Sequence, residues 1–380
     1  PATTTTYFGR YTDGTPCSSY STTCQQVTVT VNASPTATIT PGGSTAFCSG
    51  GSVVLTASGG TGYLWSTSAA TAAITALSSG SYTVTVTAAN GCSASKSQSV
   101  TAYPATAGGS VSGGTTVCSG SNSTELMLTG QTGDVVKWQY STNGSNWFDI
   151  TNTASAYTAT NLNVTTWYRA VVQSGTCAAE NSGYAIISVS AAGSWLGTVS
   201  SDWNDASNWC GGIPTSSTDI VIPATAPHMP VIGIGNGVCR NITINSAASL
   251  TVSANYLLTV YGDWGGSGTF VPNSSVVSYA ASGSQNIAAL NYYSLNLRGS
   301  GTKTFGSGTT GISHDFTVTE SAIADATTHN TTVDFNGGSA QNLAAINYYN
   351  ITLSNTGTKS FSTGTTGIAN NFTIGGTATA

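Results

Sequence analysis

His314 and Asp315 stand side by side in the stretch "TTGISHDFTVTE". An imidazole next to a carboxylate is a minimal device for moving a proton near neutral pH. More groups of this kind lie in the same half of the chain: Asp202, Asp205, Asp219, Asp263, Glu320, Asp325, His329 and Asp334. Brought together, they would suit proton abstraction from a polysaccharide or the paired carboxylates of glycoside hydrolysis. The chain carries its own test of this idea. "QNIAALNYYSLNLRGSGTKTFGSGTTGISHDF" begins at Gln285, and "QNLAAINYYNITLSNTGTKSFSTGTTGIANNF" begins 56 residues later at Gln341. In the second copy His314 and Asp315 become Asn370 and Asn371, which cannot act as acid or base. A pair that caps a turn explains both copies, and no GxSxG, HExxH or P-loop occurs. We therefore expect no catalytic residue.

Two other groupings have chemical content. Asp202, Asn204 and Asp205 in "SSDWNDASNW" offer hard oxygens to Ca²⁺, but without the spacing and distal Glu of an EF-hand. Asx-turn chemistry is the preferred reading there, so no cofactor is expected, with Ca²⁺ as the alternative. Tyr292-Tyr293 and Tyr348-Tyr349 recur in register and could present an aromatic ladder to a glycan. A stacked core ladder is the preferred reading, although neighbouring residues of a strand face opposite ways and one Tyr of each pair can then lie outside.

The elements that must position these residues are strands. Only 6% of the 380 residues are charged, against roughly 25% in an ordinary soluble domain. Apolar residues alternate with Ser and Thr, as in "SYTVTVTA", the period of strands with one wet face. The reading is an all-β chain. No apolar run approaches the roughly 18–20 residues of a membrane-spanning helix. The net charge of −5 and the lack of basic clusters argue against a nucleic-acid partner.

Eight cysteines without a CxxC pair read as a disulfide framework and hence an oxidising, extracellular setting. Cys48 and Cys118 each open a long strand, while Cys92 and Cys177 each follow a turn near the end of the same segment. That matched placement suggests pairs Cys48–Cys92 and Cys118–Cys177, each worth roughly 4 kcal/mol by loop closure. Cys210–Cys239 would complete a third pair, and Cys17 and Cys24 belong to the same framework.

Four segments follow along the chain. Residues 1–33 read as a hairpin resembling "VTTWYRAVVQSGTCAAENSGYAIISV" further on, and so as the last hairpin of an incomplete Ig-like domain. The alternative is that these strands complete another subunit's sheet. Residues 34–103 and 104–190 each read as an Ig-like β-sandwich, with hairpins at Asn90-Gly91 and Asn143-Gly144 and with Trp65 and Trp138 as core residues. Residues 191–380 read as a parallel β-helix in which a period of 56 accommodates about three rungs of 18–19 residues. Trp195, Trp203 and Trp209 fall where the N-terminal cap of that solenoid is needed.

"CSGGSVVLTASGGTGYLWSTSAATAAITALSSGSYTVTVTAANGCSAS" resembles the short Ig-like, PKD-related repeats of giant secreted surface proteins of gliding and marine Bacteroidota. "VCSGSNSTELMLTGQTGDVVKWQYSTNGSNWFDITNT" is similar to a second repeat type of those proteins, and "LTVYGDWGGSGTFVPNSSVVSYAASGSQNI" to their β-helical stretches. The resemblance implies type IX secretion, an outer-surface location and a role in adhesion, gliding or extracellular fibres. It supplies no catalytic residue. The expectation is thus a non-catalytic segment of a larger surface protein, partnered by other modules of the same chain, by surface glycans or other cell-surface components, and by self-assembly. The alternatives are a carbohydrate-binding accessory region of a secreted polysaccharide-acting enzyme and a strand-exchanged filament subunit.

Overall fold

A computed structural model describes residues 3–9 and 24–380. Strands make up 51% of it, and its C-terminal part is a β-solenoid of about 7 turns. Contacts divide the chain into two compact units, residues 1–114, 125–158 and 167–186 in one, and 115–124, 159–166 and 187–380 in the other.

In the first unit, Thr5–Gly9 and Gln25–Val29 pair antiparallel with Tyr7 opposite Val27, and both strands are largely exposed. Cys17 lies outside the described residues, and Cys24 is an exposed free thiol. Two sheets then face each other. One joins Thr38–Pro41, Val53–Ser58 and Ala73–Ala76; the other joins Ala46–Cys48, Ser93–Tyr103, Gly80–Thr87 and Gly62–Trp65. The alternation in "VVLTAS" turns Val53, Leu55 and Ala57 inward against Trp65, Ala76, Val84, Val86 and Val100. The Trp65 indole donates to the Thr71 carbonyl at 3.0 Å, and that of Trp138 to the Ala154 carbonyl at 2.9 Å. Both Trp are core residues with their polar edge satisfied. Asp134–Ser141 pairs antiparallel with Phe148–Ile150 and with Thr166–Gln173.

The cysteine pairs differ from the sequence expectation. The bridges are Cys48–Cys177 and Cys118–Cys210, while Cys92 and Cys239 are free. Strand direction explains why. Ala46–Cys48 runs parallel to the far end of Ser93–Tyr103, with Cys48 opposite Tyr103. Cys92 precedes the near end of that strand, eleven steps or roughly 35 Å away, well beyond the about 7 Å that a disulfide tolerates between Cα atoms. Cys48 instead lies at the exit of its own segment, where the Cys177 sulfur also reaches the Pro104 carbonyl. Thr115–Cys118 repeats the arrangement, running parallel to Ala185–Ser190 with Cys118 opposite Ser190, close to where Cys210 is held by Ser194 and Gly193. Cys239 sits in the solenoid core, fully buried.

The solenoid winds three short strands per coil, with parallel partners in register 18 to 23 residues apart, as in Gln285 opposite Lys303 and Thr310 opposite Val333. Inward residues such as Ile242, Leu258, Val277, Leu295 and Phe316 form one continuous core. At its start Trp195, Trp203 and Trp209 meet edge-to-face at centroid distances of 4.9 and 4.8 Å. Buried Asn208 ties the loop around them, accepting from Val199 and Ser200 amides and donating to the Asp202 carbonyl.

The 56-residue period is not three whole coils. Val276–Tyr279 and Ser294–Leu297 belong to one five-stranded parallel sheet, whereas their counterparts Thr332–Phe335 and Asn347–Leu353 belong to another. One period therefore advances an element to a different face of the coil. What the two copies share is an interior corner. Gln285 donates to the Val260 and Gly262 carbonyls at 2.8 and 2.6 Å and accepts from the Ala281 amide. Stacked on it, the buried Lys303 ammonium donates to the carbonyls of Ala281, Gly283 and Ser300 at 2.7–3.0 Å. Gln341 and Lys359 rebuild that corner with the carbonyls of Ile312, His314 and Gly337. Burial lowers the pKa of both lysines.

Candidate functional site

The acids and bases singled out from the sequence do not converge; each is engaged where it stands. Asp202 accepts from the Asn204 amide, and Asp205 caps the 3₁₀ turn Ala206–Asn208 through the Ser207 amide, both at 2.9 Å. Asn204 Nδ2 reaches the Asn236 carbonyl. This is the Asx-turn geometry, and among the described residues no group of three or more His, Cys, Asp or Glu could hold a metal ion. Asp219 pairs with Arg240 and accepts from Asn241, and Asp263 accepts from Asn286. Hydrogen bonds from Arg240 hold the Asp219 carboxyl below its ordinary range. Glu320 accepts from the Gly299 amide, His329 Nδ1 meets the Phe305 carbonyl, and Asp334 accepts from Ser354. Asp325 takes four hydrogen bonds from Thr327 and Thr328.

The tyrosine pairs divide inside from outside but do not form a ladder. Tyr292 and Tyr348 are in the core, so neither can face a glycan. Tyr292 donates to the Ala288 carbonyl and Tyr348 to the Ala344 carbonyl, both at 2.8 Å. Tyr293 and Tyr349 are half-exposed: Tyr293 occupies the bend between Asn291–Tyr292 and Ser294–Leu297, and Tyr349 lies within Asn347–Leu353.

Tyr293 stacks on His314, with ring centroids 4.8 Å apart and planes 13° from parallel. His314 Nδ1 lies 3.3 Å from the Asp315 carboxylate and 3.3 Å from the Ser294 hydroxyl. Asp315 in turn accepts from the backbone and side-chain nitrogens of Asn342 on a later coil. The pair thus braces a strand entry.

This stack forms one wall of a groove of about 540 Å³ on the outer face of the five-stranded sheet, lined also by Asn255, Tyr256, Ser274, Ser278, Asn296 and Arg298. The alternation of each strand builds its floor. Val277 and Tyr279 point into the core, leaving Val276 and Ser278 outward; Leu295 and Leu297 do the same for Ser294 and Asn296. Register then stacks Ser278 beside Asn296. Ser278 Oγ and Arg298 Nε are buried and have no hydrogen-bond partner. A second hollow of about 220 Å³ shares Val276, Ser294, Asn296 and Asp315, so the trough extends along the sheet. Such an arrangement can hold a polar ligand by stacking and hydrogen bonds.

The sequence singles out Tyr293 as a glycan-facing candidate and His314 and Asp315 only as a proton-transfer pair expected to be non-catalytic, and it does not single out Ser278, Asn296 or Arg298. A usable signal was there: the inward residues of the two copies match, whereas outward Arg298 becomes Ser354.

Residues 107–191 match the model of one domain of unknown function, DUF8696, and residues 194–373 match that of another, DUF8693. No curated protein matches the chain. Among solved structures it is similar to murine CEACAM1b, at 13% identity and a TM-score of 0.31 over 41% of this chain and 100% of that one. An I-band fragment of titin is similar at 13% identity and a TM-score of 0.32, over 43% and 69%. A Ca²⁺-stabilized adhesin of an Antarctic bacterium, described as binding ice, aligns at 14% identity and 0.26 over 49% and 57%. These likenesses concern fold and not function.

Proposed function

We propose that this chain is a force-transmitting, adhesive segment of an extracellular bacterial surface protein, without catalysis of its own. One observation carries the reading. The bridges Cys48–Cys177 and Cys118–Cys210 enclose overlapping stretches, so residues 48–210 are covalently shortened twice. Thiol–disulfide chemistry of that kind persists outside the reducing cytosol, and overlapping loops limit how far a pulled chain can lengthen. A solenoid stitched by buried Gln and Lys corners supplies a stiff continuation with broad side faces. The reading extends to an outer-surface location by the type IX route, to extracellular fibres, and to contacts with surface glycans and with further modules of a longer chain. Its non-catalytic part is supported by the local engagement of every candidate acid and base. No helix among the described residues is long and apolar enough to cross a membrane.

The test is immunological. Antibodies against the solenoid should label intact, unpermeabilised cells of the source organism, and their Fab fragments should lower attachment to a glycan-bearing surface. Labelling only after permeabilisation, or attachment unchanged by saturating Fab, contradicts the proposal.

A further inference from the structure

We infer that the groove between Tyr293 and Arg298 is a binding site for an acidic oligosaccharide. The inference rests on the adhesive reading above and gives its ligand a chemical class. Tyr293 immediately precedes the strand Ser294–Leu297 and Arg298 immediately follows it. Five residue steps of extended chain place them roughly 16 Å apart across the trough, a span that one sugar ring cannot bridge and a short oligosaccharide can. At one end the parallel Tyr293–His314 stack presents a flat aromatic platform of the kind that receives the C–H face of a pyranose. The accessible side chains of the lining include hydroxyls and amides, Ser274, Asn255 and Asn296 among them, matched to sugar hydroxyls.

Arg298 sets the charge of the ligand. Arg240 has Asp219 and Lys137 has Asp149, but Arg298 has no carboxylate partner in the described structure, and its Nε is buried with its hydrogen bond unmade. A buried donor without an acceptor is costly, and a guanidinium fork satisfies two anionic oxygens at once. The groove's own carboxylate, Asp315, is already engaged by His314 and Asn342. The anion is therefore expected from the ligand, as a uronate carboxylate or a sugar sulfate. The second repeat provides an internal comparison. It keeps Tyr349 but has Ser354, Asn370 and Asn371 where the first has Arg298, His314 and Asp315. The interior scaffold is duplicated and the charged face is not.

Calorimetric titration of the intact oxidised chain tests this with four probes: trigalacturonate, monomeric galacturonate, a sulfated galacto-oligosaccharide and neutral cellotriose. Trigalacturonate or the sulfated probe should bind, whichever is tighter naming the anion, and the monomer and cellotriose should bind at least tenfold more weakly. Arg298→Gln should weaken the acidic probe ten- to hundredfold, Arg298→Lys should recover part of that loss, and Tyr293→Ala should weaken every oligosaccharide. Unchanged circular dichroism and melting temperature establish that each variant is folded. Equal binding of cellotriose, full affinity in Arg298→Gln, or no binding by either acidic probe overturns the inference. If that happens while Fab fragments still block attachment, the groove assignment falls and the adhesive reading stands.

Discussion

Replacing Gln285 by Met tests the physical account of the repeat. The side chains are similar in length and volume, so no cavity forms, and neither carries a charge whose desolvation would complicate the balance. Three hydrogen bonds vanish: two to the carbonyls of Val260 and Gly262, and one from the Ala281 amide. The Val260 carbonyl keeps the bond it receives from the Ala280 amide, so the serious losses are an orphaned amide and one orphaned carbonyl in a corner where Gln285 is only 2% exposed. At about 1–3 kcal/mol for a buried unsatisfied group, we expect a destabilisation of about 3 kcal/mol. In urea that is a fall of roughly 1 M in the solenoid's midpoint, for a slope of about 2–3 kcal/mol/M. Gln341→Met should cost more, since it also removes a side-chain acceptor of the buried Lys359. Thr317→Ala, at an exposed outward position, should stay within about 0.5 kcal/mol of the parent. The assay is equilibrium unfolding of the oxidised chain followed by circular dichroism. A Gln285→Met midpoint equal to that of Thr317→Ala would mean that the duplicated corner contributes nothing to stability, against this expectation.

Three further outcomes are expected. Peptide mapping of the unreduced protein should recover Cys48 linked to Cys177 and Cys118 linked to Cys210, and the double variant Cys118→Ser/Cys210→Ser should lose about 4–5 kcal/mol for a 92-residue separation. An aromatic disulfide reagent should modify exposed Cys24 at once in the native protein and leave Cys239 untouched until unfolding, since burial raises that thiol's pKa beyond the reach of neutral solutions. Asp325 is an acid-sensitive group: burial would raise its pKa, but hydrogen bonds from Thr328 and Thr327 outweigh that and hold it at about 2. Its folded value is depressed, so its contribution is complete above the ordinary carboxylate value of 3.8 and fades as the pH falls through about 2. Asp325→Asn should therefore melt lower than the parent at pH 6, and the gap should narrow towards pH 2.

Alternating Ser/Thr and aliphatic residues, Asn-Gly turns and the 56-residue echo made the strands and the solenoid legible without coordinates, because side-chain period and turn chemistry are local properties. The clustering of Trp195, Trp203 and Trp209 was legible for a related reason: three Trp within fifteen residues need a shared core. Cysteine pairing was not. It depends on whether Ala46–Cys48 and Thr115–Cys118 run parallel or antiparallel to their partners, and strand direction leaves no mark in the sequence. Coil length was hidden similarly, since the number of residues per turn is set by corners that matching segments do not reveal. Of the groove, Tyr293 and the His314–Asp315 pair could be found as a motif. Ser278, Asn296 and Arg298 come from separate positions that only the register brings together, and isolated polar residues in a Ser- and Asn-rich chain attract no notice.

Single-molecule stretching reads the mechanical role of the two bridges. In the oxidised protein the covalent route from Cys48 crosses to Cys177, so the 129 residues of that separation cannot extend. Reduction should therefore lengthen the fully stretched chain by about 430–460 Å, at roughly 3.3–3.6 Å per residue. It should also convert a short, stiff response into one with added unfolding steps. Equal contour lengths before and after reduction would contradict the account, since residues 48–210 would then not be held by the bridges under load.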